Sequence, residues 1–257
     1  MTLDYEVAGD GDGVLLLHST VCDRRMWDPQ WEAFQDAGLR VARCDFRGFG
    51  RTPVPAGPYN EAEDVLEVLD AAGLDSVAVV AASHGGRVAL ELAARWPERV
   101  GRLALVCGGM PGTEPSAELQ ACWEREETCI EEGDLDAAVE VNLEYFLGPE
   151  ASEATREHVR LMQRQAFDVQ LAAEVDYPPT DVPFNLGDIT ASTLLITGEK
   201  DLPDFPRVAD RLAGLLPHTE RVSLPWAGHL PTLERPEELT PLLVRFLTGP
   251  HRAALRP

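Results

Sequence analysis

Val77-Ala78-Val79-Val80-Ala81-Ala82-Ser83-His84-Gly85-Gly86-Arg87-Val88 is an apolar run broken by one serine set among small residues, after which apolar positions return at helical spacing. Val77 to Ala82 is apolar on both faces, as a strand buried in a parallel sheet must be, while Val88, Leu92 and Ala93 keep the spacing of a helix. Ser83 is therefore expected on a sharp strand-to-helix turn. Ala81, Gly85 and Gly86 are small enough to let strand and helix close on each other while the hydroxyl projects above the sheet. That is the pattern of a nucleophile elbow, written here as Ala81-x-Ser83-x-Gly85. A buried serine in a Gly-rich turn looks the same in isolation, so the surrounding chain has to decide.

Three further segments bear on the reading. Thr193-Leu194-Leu195-Ile196-Thr197-Gly198 reads as a buried strand ending in a Gly turn, with Asp201 just beyond it. Catalytic groups in open α/β sheets gather at the carboxyl ends of strands, which makes Asp201 the candidate acid and Asp204 the alternative. Capping the next helix is the structural use open to Asp201, and the earlier strand Leu103 to Cys107 ends in no carboxylate. Val222-Ser223-Leu224-Pro225-Trp226-Ala227-Gly228-His229 carries the candidate base, His229, on a loop after a short strand. A hydroxyl attacks usefully only when an imidazole takes its proton, and the imidazole needs a carboxylate on its other nitrogen to fix the tautomer. His158 in a charged helix, His218 on a polar loop and His251 in the tail are expected to be solvated surface groups. The third segment, Val14 to Leu17 running into His18-Ser19-Thr20-Val21-Cys22, is expected to supply an oxyanion hole. Its backbone donors are Thr20 and, after the serine, His84; His18 props the loop, and the His84 ring forms a pocket wall.

Serine, acid and histidine occur in that chain order, and Asp45-Phe46-Arg47-Gly48-Phe49-Gly50-Arg51-Thr52 matches D-x-R-G-x-G-x-[ST]. Together these segments resemble the α/β-hydrolase superfamily over nearly the whole chain. Ser19 stands where that family usually has glycine, and Ala81 replaces the first elbow glycine. Met26-Trp27-Asp28-Pro29-Gln30 and the His229 segment are similar to 3-oxoadipate enol-lactonase-like carboxylic-ester hydrolases. The resemblance implies a Ser83, Asp201 and His229 triad, with no metal or organic cofactor. It implies a serine hydrolase that cleaves a small, largely apolar ester or lactone through an acyl-enzyme. Carbon–carbon or amide hydrolysis, and a ligand-binding module with a poorly active triad, are the alternatives.

Buried-strand runs at Val14 to Leu17, Leu39 to Cys44, Val77 to Ala82, Leu103 to Cys107, Thr193 to Thr197 and Arg221 to Leu224 alternate with helical segments near Asn60 to Ala72, Gly86 to Trp96, Pro206 to Leu216 and Pro236 to Leu247. Such alternation predicts an α/β fold, a mostly parallel sheet with helices on both faces, and Leu3 to Val7 can add an antiparallel edge strand. The alternation stops between Pro111 and Thr190, where Leu119, Trp123, Val139, Leu143, Val159 and Phe167 keep helical periodicity. This predicts a helical cap at 111–190 inserted into a core of 1–110 and 191–257, with Gly108 to Gly112 and Pro178 to Pro183 as hinges.

The chain has 257 residues, 44% of them hydrophobic, enough to bury one sizeable core. Residues 111–190 hold 4 basic and 19 acidic residues and so contribute −15 of the net charge of −22. A field of that sign argues against nucleic-acid or anionic-membrane partners and leaves a small-molecule substrate, with the protein a monomer or homodimer. The five scattered cysteines lack metal-type spacing, and no apolar run approaches the roughly 18 residues of a membrane span. Reduced thiols and a cytoplasmic location are expected, with Cys44 and Cys107 as strand core and Cys22 lining the pocket.

Overall fold

The apolar runs form a seven-stranded sheet in the computed structural model of the protein, which describes residues 3–175 and 177–250. The strands are β1 (Tyr5–Ala8), β2 (Asp12–Leu17), β3 (Leu39–Cys44), β4 (Val77–Ala82), β5 (Val100–Val106), β6 (Ser192–Gly198) and β7 (Thr219–Leu224). Their spatial order is β1-β3-β2-β4-β5-β6-β7. β1 runs antiparallel to β3, and every other pairing is parallel. The predicted α/β architecture is borne out, edge strand included. β2, β5 and β7 start earlier than the periodicity places them, because Asp12-Gly13, Val100 with Arg102, and Thr219-Glu220 extend the pairing, Val100 being the one apolar side chain among them.

Side chains alternate across a strand, so each buried strand feeds two cores. Leu16, Val80, Ala82, Val106 and Ile196 face one layer; Leu15, Leu17, Val79, Ala81 and Leu105 face the other. The first layer is closed by α1 (Asp28–Asp36) through Phe34 and by α9 (Pro236–Thr248) through Leu239 and Leu243. The second is closed by α2 (Glu61–Ala71), α3 (His84–Arg95) and α7 (Asp204–Leu215), through Val65, Leu90 and Leu212. Removing a fully buried aliphatic side chain such as Leu16 from this packing costs about 2–5 kcal/mol. α1 and the one-turn α8 (Pro231–Glu234) have no counterpart in the periodicity. Each is short, with a proline at its first or second position, leaving too few apolar positions for a repeat to show.

Between β5 and β6 the chain builds α4 (Ala117–Glu131), α5 (Leu135–Phe146) and α6 (Glu153–Gln170). Ser116, Asp134 and Ser152 cap them, each side chain accepting the N–H three residues on. The acidic surface is laced by Arg125–Glu144, Arg160–Glu140 and Arg164–Asp136 pairs, exposed and so worth little each. One side of α6 is tied to the core: Gln165 and Gln170 donate to the carbonyls of Gly50 and Gly48. His158 corrects an expectation here. It is half-buried, with Nε2 3.2 Å from the carbonyl of Arg25, because it lies on the face of α6 turned to that loop. His218 is exposed as expected, and His251 lies outside the described residues. Among the described residues no helix is long and apolar enough to cross a membrane.

Candidate active site

Ser83 links β4 to α3 with φ 50° and ψ −117°, a conformation that costs an L-residue about 1–3 kcal/mol. Its own backbone holds it there. Ser83 N–H donates to Val106 O at 3.1 Å, and Ser83 O accepts from Gly86 and Gly109 at 2.9 and 2.8 Å. A serine at a helix N-cap ordinarily turns its hydroxyl back onto the first turn; this one does not, and its Oγ is left for another partner. Gly85 comes so close to β2 that a Cβ there would lie 2.7 Å from Leu17 O and 2.8 Å from His18 O. Gly85→Ala is therefore expected to lower stability by about 1–3 kcal/mol, read from the urea midpoint at unchanged m. An unshifted midpoint would mean the turn is looser than drawn.

Asp201 and His229 meet at the ends of β6 and β7. Asp201 Oδ2 lies 2.9 Å from His229 Nδ1, and Asp201 Oδ1 accepts Leu202 N–H at 2.7 Å. Both side chains are inaccessible to solvent, with the Phe205 and Phe146 rings 3.9 and 5.1 Å from the imidazole. His229 Nε2 is buried and has no hydrogen-bond partner. No hydrogen bond joins it to Ser83 Oγ; such bonds often tighten only when substrate binds. Cys107 bridges the two halves: its N–H donates to Ile196 O, and its sulfur lies 3.7 Å from Gly228 O and within 4.8 Å of the Asp201 and His229 ligand atoms. This corrects the strand placement of Cys107, which sits one residue past β5 at φ 47°. Cys107, Asp201 and His229 are the one trio among the described residues with metal-ligand spacing. Burial pushes the thiol well up, however, so it stays protonated and is a poor ligand, and the other two groups already engage each other. All five cysteines are free, and Cys22 is wholly buried.

Asp204, the alternative acid, is committed elsewhere. It accepts Ser116 N–H at 2.7 Å and Ser116 Oγ–H at 2.5 Å, fastening the start of α4 to α7. On the other flank, Ser19, Thr20, Val21 and Cys22 form a tight turn closed by Cys22 N–H to Ser19 O at 3.1 Å. Neither Thr20 N–H nor His84 N–H, the first of α3, donates to an acceptor among the described residues. The His84 ring lies edge-on to Phe46, with Nε2 2.8 Å from Glu61 Oε1. Burial pushes the Glu61 carboxyl up, but His84, Arg87 and His18 together outweigh it and the net shift is down.

His18 is wholly buried, with Nδ1 2.8 Å from Ser19 O and Nε2 receiving Phe46 N–H at 2.9 Å. Both bonds demand the neutral ring with its proton on Nδ1. Burial accordingly pulls its pKa below the usual histidine value, against the pull of Asp45. As pH falls below about 6.5, the unfolded chain takes a proton that the folded one refuses, so stability drops by at most about 1.4 kcal/mol per pH unit. His18→Gln is expected to flatten the fall in urea midpoint between pH 7 and 5. Equal slopes in parent and variant would remove His18 as the cause.

Sequence reasoning missed Glu234, which accepts Gly228 and Leu230 N–H on either side of His229. A carboxylate five positions beyond the histidine was the available signal. It also missed the Phe205 wall, for which no local signal exists.

A family model described as the alpha/beta hydrolase family matches residues 14–242. A candidate carbamate hydrolase, RutD, of Caulobacter segnis is 31% identical over 95% of this chain and 96% of its own. The enol-lactonase of Burkholderia xenovorans LB400 superposes with a TM-score of 0.77 at 25% identity, covering 96% of each chain. A thermophilic esterase of Thermogutta terrifontis gives 0.76 at 27% identity, over 97% of this chain and 94% of that one. With a strained serine between strand and helix, a buried Asp–His pair at the same sheet edge and a matching model over most of its length, the chain belongs to the α/β-hydrolase family.

Proposed function

We propose that the protein is a serine hydrolase that opens a small, uncharged, largely apolar carboxylic ester or lactone through an acyl-enzyme. The observation that carries the reading is the buried Asp201–His229 pair, whose free Nε2 has no use within the fold. His229 Nε2 takes the proton of Ser83 as Oγ bonds to the carbonyl carbon, and the Thr20 and His84 amides hold the oxyanion. The C–O bond then breaks, and the alcohol leaves with the proton from Nε2. Water repeats the sequence on the acyl-serine, releasing the acid and restoring Ser83.

An apolar substrate suits the Phe146 and Phe205 walls. On the loops that carry the His18 and Asp45 motifs, Arg24, Arg25 and Arg47 are held by Asp4, Asp23 and Asp64, while Arg51 is exposed. The helices over the site are acidic. The identity to RutD puts a carbamate carbonyl on the panel beside esters and lactones. The test is a fluorophosphonate probe followed by peptide mapping, alongside p-nitrophenyl esters of rising chain length. A covalent adduct on Ser83 and turnover of short esters are expected. An intact parent protein that takes up no probe at any concentration would end the reading.

A further inference from the structure

The sequence Gly228-His229-Leu230-Pro231-Thr232-Leu233-Glu234 folds back on itself so that Glu234, the last residue of α8, reaches the loop that precedes its own helix. Glu234 Oε2 accepts Gly228 N–H at 2.9 Å, and Oε1 accepts Leu230 N–H at 3.1 Å. The Gly148 backbone, just past α5, packs directly against the same carboxylate. Two residues before it, Phe146 O accepts the N–H of His229 at 3.1 Å. One carboxylate therefore grips the residues on both sides of the imidazole and the cap segment that holds the imidazole's own backbone. The packing leaves no slack: a Cβ on Gly148 would collide with the Glu234 carboxylate, and a Cβ on Gly228 would collide with the Gly148 backbone.

Resting on the hydrolase reading above, we infer that Glu234 is a positioning residue which sets the His229 imidazole and makes its placement depend on the 146–148 cap segment being seated. Two backbone donors converging on one carboxylate, with the Gly148 backbone packed against it, are more than a four-residue helix needs, since its last turn is already closed by Glu234 N–H and Arg235 N–H to Leu230 O and Pro231 O. The carboxylate's charge is not consumed by an ion pair. The neighbouring Arg235 is taken by Glu150 and Glu238, and Arg156 donates to Gly148 O rather than to Glu234.

Glu234→Gln keeps the size of the side chain but turns an NH2 toward a backbone donor. Expected is a fall in kcat of about 10- to 100-fold with KM within about twofold, measured per active site counted by fluorophosphonate titration. Glu234→Asp, one methylene short, should fall with it. The far-downfield NMR resonance of the His229 Nδ1 proton, shared with Asp201, should shift or broaden in both variants. A residue that merely stabilised the fold would lower the melting temperature and leave turnover per titrated site and that resonance unchanged, and this result would overturn the inference. A rise in KM alone would overturn it too. If the parent protein proved inert to esters, the hydrolase reading would fall, while the proton resonance would still decide what Glu234 does.

Discussion

Ser83→Ala is expected to lower kcat for ester hydrolysis by about a millionfold, to the residue left by binding and the oxyanion donors. The size follows from the chemistry: without Oγ no acyl-enzyme forms, and nothing nearby can replace it. The Cys107 thiol is the nearest alternative nucleophile by type, but burial holds it protonated. The fold should barely respond. Ser83 Oγ makes no cap bond, and alanine meets the same strain at φ 50° as serine. The measurement is burst-phase and steady-state turnover of p-nitrophenyl acetate, with melting temperature as control. A variant within tenfold of the parent would show that the serine is ordinary and the hydrolysis belongs to another site.

Asp201→Asn is expected to cost about 10⁴-fold in kcat with a small change in KM. The carboxylate 2.9 Å from Nδ1 keeps the ring proton on that nitrogen, leaving Nε2 free to accept from Ser83. An asparagine can present its NH2 to Nδ1 and so favour the tautomer with the proton on Nε2, which cannot act as a base. The paired control is Asp204→Asn. Because Asp204 is bonded to Ser116, that variant should keep kcat near the parent's and lose about 1–3 kcal/mol of stability as the tie to α4 weakens. Should Asp204→Asn prove the catalytic loss and Asp201→Asn the stability loss, the two carboxylates have exchanged roles and the geometry at the end of β6 is wrong.

Much of this was legible before any coordinate. The run through Ser83 and the regular return of apolar strands specify the sheet, since a strand buried on both faces must be apolar throughout. Even the edge strand beside Leu3 to Val7 shows, displaced by a residue or two. Legibility failed where the deciding partner is remote in sequence. The sequence ranks Asp201 ahead of Asp204 as the acid just beyond a strand but leaves Asp204 open, and their neighbours, His229 for one and Ser116 for the other, separate them. His158 reads as a surface residue because its partner, the Arg25 carbonyl, is 133 positions away. α1 was illegible for a different reason: nine residues with a proline in second position carry too few apolar repeats for a period to emerge.

Local sequence by itself determined the layered α/β architecture, the order of serine, acid and histidine, and the small residues that let β4 turn sharply into α3, because periodicity and steric size act between near neighbours. Tertiary structure alone decided that Cys107 sits against the Asp–His pair, that two aromatic rings wall the imidazole, and that His229 N–H meets the Phe146 carbonyl at the end of α5. Those contacts join segments whose separation along the chain carries no pattern; they exist only once the parallel strands bring their carboxyl ends to one edge.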